Sequence, residues 1–117
     1  MIVFLTQDLM MSSNASSHAR EHEKKLKTVG SVASALKVIQ EKRPHLLLVD
    51  LQTPGLSVEE LGNEIRELPD SVCPLSIAYA QHVHVELLEQ AKAGGFDQVL
   101  TRGQMNSQVG QIIADAG

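Results

Sequence analysis

The sequence predicts a parallel α/β fold in one domain, residues 1–117, with a five-stranded sheet covered by helices on both faces. Five short apolar runs alternate with segments of helical period along the whole chain. The central runs are apolar at successive positions rather than at every second one, which marks strands buried on both sides. The third run, LLLVD, stops at an acid and is followed by Leu-Gln-Thr-Pro-Gly. Asp50 is thereby expected at the carboxyl edge of the sheet, where open α/β folds carry their sites.

The first run is IVFL, residues 2–5, followed by a polar, serine-rich stretch and then AREHEKK, which is expected to be helical. LKTV (26–29) forms the second strand. Val32, Ala35, Leu36 and Ile39 follow at i, i+3, i+4 and i+7, a helix that Pro44 ends. After LLLVD (46–50), SVEELGNEIREL (57–68) opens with a capping box, Ser57 and Glu60, and puts Val58, Leu61, Ile65 and Leu68 on one face. PLSIAYA (74–80) is the fourth strand, and the helix carrying Leu87, Leu88 and Ala91 closes at Gly94-Gly95. DQVLT (97–101) is the fifth, before a short last helix marked by Val109, Ile112, Ile113 and Ala116.

Composition removes several classes of function. Ten Lys and Arg against fourteen Asp and Glu give a net charge of −4, with the bases scattered apart from Lys24, Lys25 and Lys27, so nucleic acid is not expected as a direct partner. No run approaches the ~20 apolar residues of a membrane span, and MIVFL is too short for a secretory signal. The single cysteine, Cys73, forms no internal disulfide, in keeping with a cytoplasmic setting.

Parallel strands bring their carboxyl ends together. Thr6, Gln7, Asp8, Asp50, Tyr79 or Ala80, and Arg102 are therefore expected in one cluster. An opposite charge within ~4–6 Å favours an ionised carboxylate, so Asp50 is expected ionised and close to Arg102.

LLLVDLQTPG resembles the phosphoacceptor motif of bacterial response regulator receiver domains, and AKAGGFDQVLTRG resembles the family's Ala-Gly-Ala segment leading to a Lys-Pro pair. The resemblance covers essentially the whole chain. It implies a flavodoxin-like, receiver-type sheet of order 2-1-3-4-5 and a place in two-component phosphorelay signalling, with a histidine kinase or a downstream signalling protein as partner and no enzymatic activity of its own. By it Asp50 stands at the phosphoacceptor position, Arg102 at the lysine position, and Ala80 or Tyr79 at the switch position. Asp8 and Asp50 are the candidate metal ligands.

The sequence departs from that pattern where charge matters. Thr6 and Gln7 stand where the family has two acids that help to bind magnesium, and Arg102-Gly103 replaces Lys-Pro. Magnesium prefers octahedral oxygen coordination with carboxylates, and a guanidinium fork does not replace an ammonium point charge. The expected cofactor is none, with any magnesium site weak. The resulting reading is a degenerate receiver acting through protein–protein contact, its output surface formed, as the resemblance implies, by the fourth strand, the fourth helix and the fifth strand. A working phosphoacceptor is the alternative, and a flavin or phosphate binder, cradling the phosphate on hydroxyls and amides of the serine-rich loop MSSNASSHA (11–19), is a third. Three aromatic residues leave a flavin little to stack on. His18 and His22 have zinc-compatible spacing but only two ligands. His82 and His84 are expected in an exposed loop, and Cys73 is expected as a small packed residue. No output domain is expected after Ile112 and Ile113. A stand-alone adaptor and a domain of a longer protein fit equally, and the sequence leaves the oligomeric state open.

Overall fold

The computed structural model describes residues 1–117. Five strands and five helices alternate strictly: β1 (Ile2–Leu5), α1 (Leu9–Glu21), β2 (Leu26–Val29), α2 (Val32–Lys42), β3 (Leu46–Asp50), α3 (Val58–Arg66), β4 (Leu75–Ala80), α4 (Val85–Ala93), β5 (Gln98–Thr101) and α5 (Arg102–Asp115). All pairings are parallel, and the strand order is β2-β1-β3-β4-β5, as expected from the sequence.

The apolar runs conceal a period of two. On one face of the sheet Val3, Leu5, Leu47, Val49, Ala78 and Ala80 pack with Ala35 and Ile39 of α2, Leu61 and Ile65 of α3, and Ala91 of α4. On the other, Ile2, Phe4, Leu46, Leu48, Ile77 and Tyr79 pack with Met11, Ala15 and Ala19 of α1 and Met105, Val109 and Ile113 of α5. The central strands are thus apolar on both faces, apart from Ser76 and the terminal Asp50, because each face has its own helical layer.

Two helices differ from expectation. The serine-rich stretch is not a loop but the body of α1, started by Asp8, whose side chain accepts the N–H groups of Met10 and Met11. Met11, Ala15 and Ala19 recur every fourth residue and supply a narrow buried stripe, while Ser13 and Ser17 face solvent. The helix stops at Glu21, and the expected helical tail turns instead through His22 and Glu23. Helix α5 begins at Arg102, well before Val109, because Thr101 and Gln104 form a complete capping box. At α3 only half of the expected box forms: the Ser57 hydroxyl accepts the Glu60 N–H at 3.3 Å.

Helix α4 ends at Ala93 with Gly94 as its cap, and Gly95 takes φ +85°, a left-handed conformation that glycine adopts freely. A Cβ on Gly62 of α3 would meet the Gly94 carbonyl oxygen at 3.0 Å, so the two helices approach closely there. Cys73 is exposed rather than packed; partial burial, then Asp97 and Asp70, raise its thiol pKa.

Candidate functional site at the carboxyl edge

Strand β3 ends at Asp50 with only 6% of its surface exposed. Both carboxylate oxygens are engaged: Oδ2 accepts the Thr6 hydroxyl at 2.8 Å, and Oδ1 accepts the Gln52 N–H at 3.0 Å. The next turn is fixed by the Thr53 hydroxyl, which donates to the Asp50 carbonyl at 2.7 Å. Gln52 reaches across to the β4–α4 loop, where its side-chain oxygen accepts the Gln81 N–H at 2.8 Å.

Thr6 links this network to the second acid. Its hydroxyl oxygen accepts the Asp8 N–H at 3.0 Å while its proton goes to Asp50. Asp8 caps α1 through Oδ1 and receives the Arg102 guanidinium on Oδ2. That hydrogen bond, foremost among several causes, holds the Asp8 carboxyl below its ordinary pKa of 3.8.

The expected pairing of Asp50 with Arg102 is therefore corrected: Arg102 pairs with Asp8. The reason is local geometry, since Arg102 is the first residue of α5 and Asp8 the cap of the neighbouring α1, whereas both Asp50 oxygens are already satisfied by neutral donors. Gln7 leaves the cluster and donates to the Gly30 carbonyl at 3.1 Å.

Of the two switch candidates, Tyr79 is the register partner of Asp50, whereas Ala80 pairs with Thr101 and belongs to the core on the other face. Tyr79 is fully buried, edge-on to Phe4 with ring centroids 6.1 Å apart. Its hydroxyl has no hydrogen-bond partner. Burial first, and then the Asp50 charge, push its pKa up; Thr6 lies near enough to temper the shift without forming a bond of acceptable geometry.

Magnesium, which the resemblance implies, does not fit this donor set. A hard cation of that size needs carboxylate oxygens free to take octahedral positions. Here Asp8 is committed to a helix cap and a guanidinium, and a threonine hydroxyl that donates to Asp50 holds the remaining edge. No three His, Cys, Asp or Glu side chains are grouped so as to hold a metal ion.

The histidines do not converge. His18 lies 3.7 Å from Glu21, with its ring against Gly110 of α5, His22 forms the end of α1, and His82 and His84 are exposed. The serine hydroxyls proposed to cradle a phosphate lie along a helix, so no loop of amides and hydroxyls exists there. Thr6 as the donor to Asp50 and Gln52 as a tie to the β4–α4 loop were not legible beforehand; the first carried a position signal only, the second none.

No protein-family model matches the sequence, and no curated protein sequence matches it either. Solved structures do match. The signal receiver domain of a response regulator from Bermanella marisrubri superposes with a TM-score of 0.82 at 17% identity, over 98% of this chain and 95% of that one. The receiver domain of a sensor histidine kinase from Pseudomonas aeruginosa PAO1, which holds magnesium in its active-site cleft, gives 0.76 at 15% identity over 97% of both chains. The receiver domain of a Saccharomyces cerevisiae response regulator, solved with its histidine phosphotransfer protein, gives 0.73 at 18% identity over 92% of this chain and 84% of that one. The fold of this chain is the receiver-domain fold. No helix is long and apolar enough to cross a membrane.

Proposed function

We propose that the chain is a receiver-type module of two-component signalling that works by protein–protein contact, without magnesium and without enzymatic activity, in the cytoplasm. The observation that carries this reading is the Thr6–Asp50 hydrogen bond at 2.8 Å, which puts a donating hydroxyl where a magnesium-dependent receiver has acids. Phosphoryl transfer depends almost wholly on positioning and charge neutralisation. Asp50 is nearly buried, both its oxygens accept hydrogen bonds, and the guanidinium at the lysine position is held by Asp8. The proposed partners are proteins of the phosphorelay, a histidine kinase or a downstream signalling protein, met through β4, α4 and β5. Val83 and Val85, 66% and 59% exposed, lie at the entrance to α4 and offer apolar contact there.

The test is a titration with Mg²⁺ and with beryllofluoride, followed by amide NMR. The expected result is no shift at residues 6–8, 50–53 or 79–82 at millimolar Mg²⁺. Saturable shifts that vanish in Asp50→Asn would instead establish a working phosphoacceptor.

A further inference from the structure

We propose that the paired outer face of α1 and α5 is the interface of a symmetric dimer of this chain. The two helices pack side by side through Met11, Ala15 and Ala19 against Met105, Val109 and Ile113. Their charged residues are only Arg20, Glu21, Arg102 and Asp115, all at helix ends. By contrast α3 carries Glu59, Glu60, Glu64 and Arg66 in nine residues, and α4 carries Glu86, Glu89 and Lys92 in nine. Charge is thus withdrawn from one face of a molecule whose net charge is −4.

That face is built for contact. A groove of about 930 Å³ lies between the helices and the β4–α4 loop, lined by Met11, His18 and Asn106 among others; it has no carboxylate, and its one formal charge, Arg102, is paired with Asp8. Met10, 82% exposed, and Val83 line it, and Leu9, also 82% exposed, precedes Met10 in the chain. Depletion of charge with enrichment of methionine is the composition of an interface core.

The occupant follows from the electrostatics. In a two-fold interface residue i meets j while j meets i, so the surface must complement itself. A patch with net charge repels its own copy; this one carries none away from its ends. Its exposed polar groups, Ser13, Ser17, Asn106, Ser107 and Gln111, are hydroxyls and amides that both donate and accept, so each can pair with its own kind. Leu9 and Met10 beside the groove give each copy an apolar knob for the other's cleft. Two helices of 13 and 14 residues offer a footprint of only about 20 Å by 20 Å, small against the roughly 800 Å² per partner of a standard interface. The dimer is therefore weak and concentration-dependent. It does not depend on whether Asp50 accepts a phosphoryl group.

Sedimentation of the full chain between about 10 μM and about 1 mM, the range of weak complexes, tests the proposal. Wild type is expected to shift from monomer to dimer. Asn106 is exposed and makes no side-chain hydrogen bond, so Asn106→Glu and Asn106→Lys should fold; each should weaken association at least about tenfold through like-charge repulsion across the axis. An equimolar mixture of the two should associate again, a rescue that only self-contact at this face produces. Ser13→Glu on α1, also exposed, supplies an independent variant. A wild type that stays monomeric throughout overturns the proposal and leaves the face to a different protein; association undiminished in the Glu variants overturns it in favour of another face.

Discussion

At the scale of single residues, the site is a chain of hydrogen bonds running from Arg102 through Asp8 and Thr6 to Asp50. A double-mutant cycle distinguishes its links. Asp8→Asn with Arg102→Gln is expected to show a coupling of about 0.5–1 kcal/mol, discounted for water access because the two side chains are 24% and 35% exposed. Asp50→Asn with Arg102→Gln is expected to be additive within about 0.3–0.5 kcal/mol. The pH dependence follows from the lowered Asp8 pKa: a carboxylate with a depressed folded value stabilises above its unfolded pKa and loses that contribution as pH falls through the folded one. The stability difference between wild type and Arg102→Gln, measured by denaturant unfolding, should stay flat from pH 8 to about pH 5 and shrink below about pH 4. Thr6→Val should be more disruptive than its size suggests. It removes a donor from a nearly buried carboxylate and an acceptor from the Asp8 N–H, so a loss of about 1–3 kcal/mol is expected, with Thr6→Ser largely restoring it.

Elements are held to one another at two contacts that sequence patterns do not advertise. Lys24, in the turn after α1, donates its ammonium to the carbonyls of Ile113 and Ala114 at 2.8 and 2.7 Å and also to that of Ala116. A cation there satisfies orphan carbonyls and meets the negative end of the α5 dipole. Lys24→Met should therefore cost about 0.5–2 kcal/mol and accelerate amide exchange in the last turn of α5 while leaving the central strands protected. The second contact is Gly62 against Gly94. Since an added Cβ would lie 3.0 Å from a backbone oxygen, Gly62→Ala should destabilise by about 1–3 kcal/mol despite alanine's higher helix propensity. An unchanged or raised unfolding midpoint would show that α3 and α4 can separate.

For the molecule as a whole, two apolar cores share one five-stranded sheet, so neither can be lost without exposing the other. Unfolding should accordingly be two-state. Tyr79 is the single tyrosine, the chain has no tryptophan, and the residue sits wholly inside the α1/α5 core, so its fluorescence reports that side alone. Its denaturation curve is expected to coincide with that of far-UV circular dichroism. A separate, earlier fluorescence transition would mean that α1 and α5 come away as an independent unit.

The amino-acid sequence by itself determined the architecture, because strand and helix periods and turn residues are local signals. Strands β1, β2 and β3 fall on the expected residues, and Asp50 stands at the carboxyl edge as its position after an apolar run requires. It misled at α1, where a stripe built largely of alanine is a weak helix signal, and at α5, where the capping box of Thr101 and Gln104 starts the helix ahead of its apolar residues. Only the tertiary structure decided the partners at the site. Asp50, Asp8 and Arg102 are brought to one edge by three different strands, and which carboxylate takes the guanidinium depends on where α1 and α5 place their first turns. The same holds for the placement of Tyr79 and Ala80: the pleat sends these adjacent residues to opposite faces, and pairing register, which joins residues far apart in the chain, sets which of them stands beside Asp50.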